Sequence, residues 1–348
     1  MREIEEPLRQ QADDPPLTAN PPLTERKRKW PLRYKLIGVA TIVLVAVVIL
    51  AYKTLSIHPS TNYDKVPFSA RKTTSNDIPN TVVFNYNIDQ LEGDSFFIQQ
   101  AWDKNRRVRI YKKNYTLTDI YYLPGYHRAK LIVNDKIVKT VDVSIPTNGW
   151  FFFVHKMLKG SMPEYIIKDR AAKNGVLGMD KEDLVKYKVN SAEEHNYCYT
   201  WFPGKQEVSS DNFIFKARVR VINLNNAMCP RFMPEVFTQS SFLFFRTTPA
   251  GCTSDIDALF GEHYLSGKTN DLSGFGCDVT QWQDYEMVVK NRQATVRINN
   301  KEVLKKQYTE SVGLITGIGF ASNGLMEIDY VDLKSLDGKV IYSNNFDQ

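Results

Sequence analysis

The sequence predicts an all-β protein: a small sandwich followed by a larger one, preceded by one transmembrane helix. Three observations predict this. Residues 36–52 form an uncharged apolar run directly after a basic flank. Beyond residue 78, short segments of alternating apolar and polar residues follow one another, separated by turn-forming pairs. The 18 Tyr and 19 Phe of the 348 residues supply the aromatic content that pleated surfaces favour. A chain of this length exceeds one ordinary domain and suits two folded units plus an anchor.

The apolar run comes first. At about 1.5 Å per residue it rises roughly 25 Å, the short end of a bilayer crossing. Tyr34 and Tyr52 suit the interfacial belts, and Lys35 and Lys53 can snorkel. A cleaved signal peptide would carry a shorter leader and small residues at a cleavage site. Here the leader is long and Ala51-Tyr52-Lys53-Thr54 is a poor site, so an uncleaved signal-anchor is expected. Arg26, Lys27, Arg28, Lys29, Arg33 and Lys35 precede the run, against Lys53 and Lys65 beyond it. That imbalance places the N-terminus in the cytoplasm and the bulk outside. It also accounts for much of the net charge of +6, so a nucleic-acid partner is not expected. Residues 1–35, with paired prolines and no apolar period, read as a disordered cytoplasmic tail. Residues 53–78 read as a spacer.

Residues 79–146 hold several short alternating segments, with turn signals at Gly93-Asp94, Pro124-Gly125 and Asn134-Asp135. They indicate a small antiparallel sandwich. The stretch Tyr121-Tyr122-Leu123-Pro124-Gly125-Tyr126, leading into an alternating strand, resembles the closing hairpin of a PKD (polycystic-kidney-disease) domain. Trp102-Asp103 matches that family's Trp-Asp pair, although Lys104-Asn105-Arg106 replaces its following Gly-Asp-Gly. The resemblance implies an Ig-like spacer or interaction module without catalysis.

Residues 147–196 read as a connecting segment with a short helix after Asp180, which suits an N-cap. Residues 197–348 hold longer strands without helical crossovers, and Asn299-Asn300 marks a hairpin turn. Trp282, Tyr285-Glu286-Met287-Val288-Val289, the Asn-bearing hairpin, Gly317-Ile318-Gly319-Phe320 and Glu327-Ile328-Asp329-Tyr330-Val331 resemble the concanavalin A-like (lectin/glucanase) jelly roll. A PKD-like module and such a jelly roll behind one anchor resemble envelope proteins of Bacteroidota-type bacteria. That resemblance implies that the outer compartment is the periplasm and the anchoring membrane the bacterial inner one, crossed once. It says little about ligand; a glycan or an envelope protein is expected as partner of the jelly roll.

Cys198, Cys229, Cys252 and Cys277 all fall in the C-terminal region, an even count that suits two disulfides in an oxidising compartment. Three pairings are open, and sequence neighbours favour Cys198–Cys229 with Cys252–Cys277. His195 and Cys198 have ligand-like spacing, but no second pair completes a metal site, and no metal or other cofactor is expected. Binding candidates are Arg246, Asp255, Asp257, Glu262, His263 and Tyr264, whose planar polar groups suit sugar hydroxyls beside an aromatic surface. Tyr199, Trp201 and Phe202 offer a stacking surface, with a place in the core as the competing reading. The leading expectation is a non-catalytic binding protein. The alternatives are a structural or signal-transmitting scaffold, and a glycan hydrolase. For the hydrolase, Glu327 and Asp329 resemble the Glu-x-Asp-x-x-Glu strand of laminarinase-like enzymes, with Asp332 in place of the last Glu. Retaining glycosidases need two such carboxyls about 5 Å apart.

Overall fold

The computed structural model describes residues 32–55, 63–73, 78–101, 104–156 and 162–347. The tail before Leu32, most of its basic flank and the Trp102-Asp103 pair lie outside the described residues. The chain divides into one unit ending at Thr61 and another from Asn62 onward.

The first unit contains helix α1, Leu32–Leu55. Ile37 and the large apolar side chains from Ile42 to Leu50 are exposed. The stretch from Ile37 to Leu50 rises about 20 Å, against roughly 30 Å for a hydrocarbon core. Among the described residues, no helix is long and apolar enough to cross a membrane.

The second unit is built of strands. Seven form a small sandwich: β1 (Phe68–Lys72), β2 (Asn80–Tyr86), β3 (Phe96–Gln99), β4 (Arg107–Ile110), β5 (Thr116–Tyr121), β6 (Gly125–Val133) and β7 (Lys136–Ile145). They pair as β1-β2-β5 and β4-β3-β6-β7, enclosing Phe68, Val82, Phe84, Ile98, Leu131 and Ile145. Asn134 and Asp135, both at positive φ, make the β6–β7 turn. β1 lies in the segment read as spacer. It is an edge strand whose Ser69-Ala70-Arg71-Lys72 presents little apolar alternation, as edge strands often do.

The larger sandwich comprises β8 (Phe151–Lys156), β9 (Glu164–Ile166), β10 (Ala172–Lys173), β11 (Val176–Leu177), β12 (His195–Trp201), β13 (Asn212–Ile222), β14 (Phe232–Thr238), β15 (Phe242–Phe245), β16 (Asp257–Phe260), β17 (His263–Ser266), β18 (Gln283–Lys290), β19 (Gln293–Ile298), β20 (Lys301–Gln307), β21 (Ile315–Ser322), β22 (Leu325–Ser335) and β23 (Val340–Asn344). One sheet runs β10-β11-β22-β13-β18-β19-β20, with β23 also on β22; the other runs β17-β16-β15-β14-β21-β12-β8-β9. Thus β8 to β11, within the segment read as connector, extend both sheets. Helix α2 (Lys181–Lys186) follows Asp180, whose carboxylate accepts from the Asp183 N–H at 3.0 Å while Asp183 accepts from the Asp180 N–H.

Strict alternation puts Phe213, Phe215, Val219, Val236, Phe245, Tyr285, Ile318 and Phe320 into one core between the sheets. The sandwiches meet at Phe202. Its N–H donates to Thr147 Oγ1 and its carbonyl accepts from Thr147 N, both at 3.0 Å. Tyr165 Oη also donates to Tyr122 O at 2.5 Å.

The disulfide corrects the sequence expectation: Cys229 joins Cys252, with Cα atoms 6.0 Å apart, and Cys198 and Cys277 are free. Neighbour pairing fails because strand order, not chain order, sets proximity. The loop before β14 lies against the 3-10 turn Ala250–Asp255, while Cys198 sits in mid-strand and Cys277 beside the Tyr285 hydroxyl at 3.9 Å.

Candidate functional site

The outward face of the β17-to-β9 sheet holds a cleft of about 380 Å³ lined by Phe153, His155, Asn196, Cys198, Arg231, Met233, Glu235, Arg246, Ala321 and Ser322. Period-2 alternation makes it. On β21 the large residues Ile318 and Phe320 point into the core, so Gly317, Gly319 and Ala321 face outward. These small residues leave a trough between β12 and β14. At one end Phe202 fills it: a Cβ on Gly317 would lie 2.3 Å from its ring. In the middle, a Cβ on Gly319 would lie 2.7 Å from the Phe237 ring and 3.2 Å from Glu235 Oε2. At Ala321 the trough opens as the cleft, at the end remote from Phe202.

Strand register orders the side chains. Phe153, Cys198, Ala321 and Met233 form one cross-strand row; Thr200, Gly319, Glu235, Phe244, Leu259 and Tyr264 form the next. Arg246, just beyond β15, donates from Nη1 to Asp255 O and pairs with Asp257, both at 3.1 Å. Tyr264 Oη donates to Asp257 Oδ2 at 3.1 Å. Across the cleft, Arg231 Nη2 reaches Glu194 at 3.4 Å and Asn196 Oδ1 at 3.3 Å, and its N–H donates to Asn323 Oδ1.

Burial sets the electrostatics. The Glu235 carboxyl is pushed up to about 7 by desolvation, which the nearby Arg246 charge only partly offsets. The Arg231 guanidinium is lowered by burial and by the like charge of Arg246, against Glu194, Asp255 and Asp257. Burial also raises the Cys198 thiol, so it is held as an unreactive SH. The cleft therefore offers guanidinium donors, a carboxyl that titrates near neutrality, and amide and imidazole groups over an apolar floor.

Of the sequence-selected residues, Arg246, Asp255, Asp257 and Tyr264 gather at one rim. Glu262 and His263 do not. Glu262 accepts from Thr309 N and Thr309 Oγ1, each at 2.9 Å, and these and other backbone N–H donors hold its carboxyl at about 2. His263 lies beside it at 3.2 Å. Tyr199 belongs to the core: its hydroxyl donates to Met326 O at 3.0 Å and accepts from Met179 N and Met326 N, both at 3.1 Å. Trp201 packs on Tyr342 at 4.8 Å. On β12 it is the alternate residues, Asn196 and Cys198, that face the cleft.

Glu327 and Asp329 lie on β22, in the opposite sheet. Glu327 pairs with Arg220 at 2.5 Å and Asp329 with Arg218 at 3.8 Å, and both arginines lie over the Trp282 ring. This is a cross-strand ladder of ion pairs on a solvated face. Among the described residues, no group of three or more His, Cys, Asp and Glu is placed to hold a metal.

No family model matches the chain, and no curated protein matches it. It is similar to solved structures at low identity. One is the alginate lyase AlyC3 (11% identity, 54% of this chain, 90% of that one, TM-score 0.32). Another is domain 4 of AbnA, a GH43 extracellular arabinanase from Geobacillus stearothermophilus (12%, 57% and 86%, 0.29). A third is SGBP-B from a xyloglucan utilization locus in Bacteroides uniformis (10%, 78% and 73%, 0.19).

Proposed function

We propose that the larger sandwich binds a saccharide in the cleft above Ala321, and that the small sandwich and α1 hold it at the outer side of a bacterial inner membrane. One observation carries the binding reading. A cleft of about 380 Å³ has an apolar floor of Phe153, Met233 and Ala321, rimmed by Arg231, Glu235, Asn196 and Arg246. That size, floor and set of convergent polar groups suit a sugar ring and its hydroxyls. The rim is pre-organised, since Arg246 is held by Asp257 and Asp255, and the Cys229–Cys252 bridge fastens the loops that carry Arg231 and Asp255. The hydrolase reading gains no support from Glu327 and Asp329, each of which is occupied by an arginine outside the cleft.

The anchor reading rests on helix α1, where Ile37 and the large apolar side chains from Ile42 to Leu50 are exposed among the described residues. A saccharide array probed with the full-length chain is expected to give at least one specific ligand; silence on every saccharide overturns the binding reading. A reporter fused after Gln348 is expected to be active outside the cytoplasm, and cytoplasmic activity overturns the orientation.

A further inference from the structure

We propose that the cleft recognises an anionic group on its saccharide, a carboxylate or a sulfate ester, held between the guanidiniums of Arg231 and Arg246. This rests on the saccharide reading of the same cleft and names the ligand's chemical class.

Both guanidiniums line one cleft and each keeps donors to spare. Arg231 uses Nη2 on Glu194 and Asn196, and Arg246 uses Nη1 on Asp255 and Asp257. Each has further N–H groups beyond those bonds. The two like charges act on each other, and burial adds to the cost of holding Arg231 charged. Their acidic partners stand outside the cleft lining; the Glu194 side chain is 59% exposed. The one carboxyl in the lining is Glu235, and burial favours its neutral form. A bound anion would relieve the repulsion between the guanidiniums through paired, charge-assisted hydrogen bonds, and would take a further one from the Glu235 hydroxyl. A neutral sugar meets the same donors without that gain.

The test titrates the full-length chain, in nonionic detergent, with uronate trimers (galacturonate, glucuronate and mannuronate), their methyl esters, sulfated trisaccharides and their desulfated forms. Carboxylate and sulfate arms separate the two sources of charge. The acidic member of a pair is expected to bind at least about tenfold more tightly than its neutral twin, with the advantage shrinking in high salt. Arg231→Gln and Arg246→Gln should each weaken the acidic ligand about tenfold more than they weaken the neutral twin. Near-UV circular dichroism checks each fold, and Arg246→Lys should recover part of the loss. Neutral twins that bind as tightly as the acids overturn this inference and leave the saccharide reading standing. Variants that weaken both twins equally also overturn it. Binding of no member overturns this inference, and the saccharide reading falls with it only if the saccharide array is silent as well.

Discussion

Tyr199→Phe is expected to destabilise the larger sandwich by about 3 kcal/mol, because one hydroxyl satisfies three buried backbone groups. The Tyr199 hydroxyl donates to Met326 O and accepts from the N–H groups of Met179 and Met326. The ring is fully buried against Phe152 at 4.9 Å, so water cannot replace it. Phenylalanine keeps the packing and leaves two donors and one acceptor without that partner, each costing about 1–3 kcal/mol before relaxation. The hydroxyl ties β12 in one sheet to β22 in the other and to the turn before α2, so the loss should appear in cooperative unfolding. A drop of about 10 °C in the melting temperature is the corresponding shift. An unchanged melt would show that the hydroxyl does not bridge the sheets.

Glu235→Gln is expected to make stability less dependent on pH. The carboxyl rises from an ordinary 4.5 to about 7 in the folded protein. Below pH 4.5 it is protonated both folded and unfolded, and its contribution is fully present. As pH climbs through 7, the unfolded chain ionises freely while the folded one must bury a carboxylate, so stability is lost. That loss approaches about 3 kcal/mol above pH 7, an upper value because the side chain is only half-buried. The glutamine variant has no proton to lose. Denaturant melts from pH 4.5 to 8 should show the two proteins diverging in favour of the variant up to pH 7 and running parallel above it. Wild type gaining on the variant with rising pH would mean that Arg246 and Arg231 hold the carboxylate ionised.

The strand content was legible because its signal is local. The alternation of Phe213, Phe215, Ala217 and Val219 reads directly as a half-buried strand, and Asn299-Asn300 as a turn. Edge strands such as β1 were not, since Phe68 is the one large apolar residue in its Phe68–Lys72 run. The rim residues Arg246, Asp255, Asp257 and Tyr264 are legible because they are close in sequence around one hairpin. Arg231 and Glu235 are not, although they complete the cleft. Their neighbours come from β12 and β21, about 35 and 85 residues away, and pairing of that range leaves no local trace. One signal does exist: Gly317, Gly319 and Ala321 leave one face of a central strand bare, and a bare row beside Glu235 marks a trough. Alternation also separates Tyr199 from Cys198, because one step along β12 moves a side chain from core to cleft.

The most direct test of the cleft as the ligand site is to fill it. Ala321→Trp places an indole in the opening without touching the core face of β21, whereas Trp282→Ala strips the aromatic from the opposite sheet. On a saccharide array, the full-length Ala321→Trp chain is predicted to lose every ligand that wild type binds, charged or neutral, while Trp282→Ala keeps them. Retained binding by Ala321→Trp, or loss in Trp282→Ala with the fold intact, would contradict it.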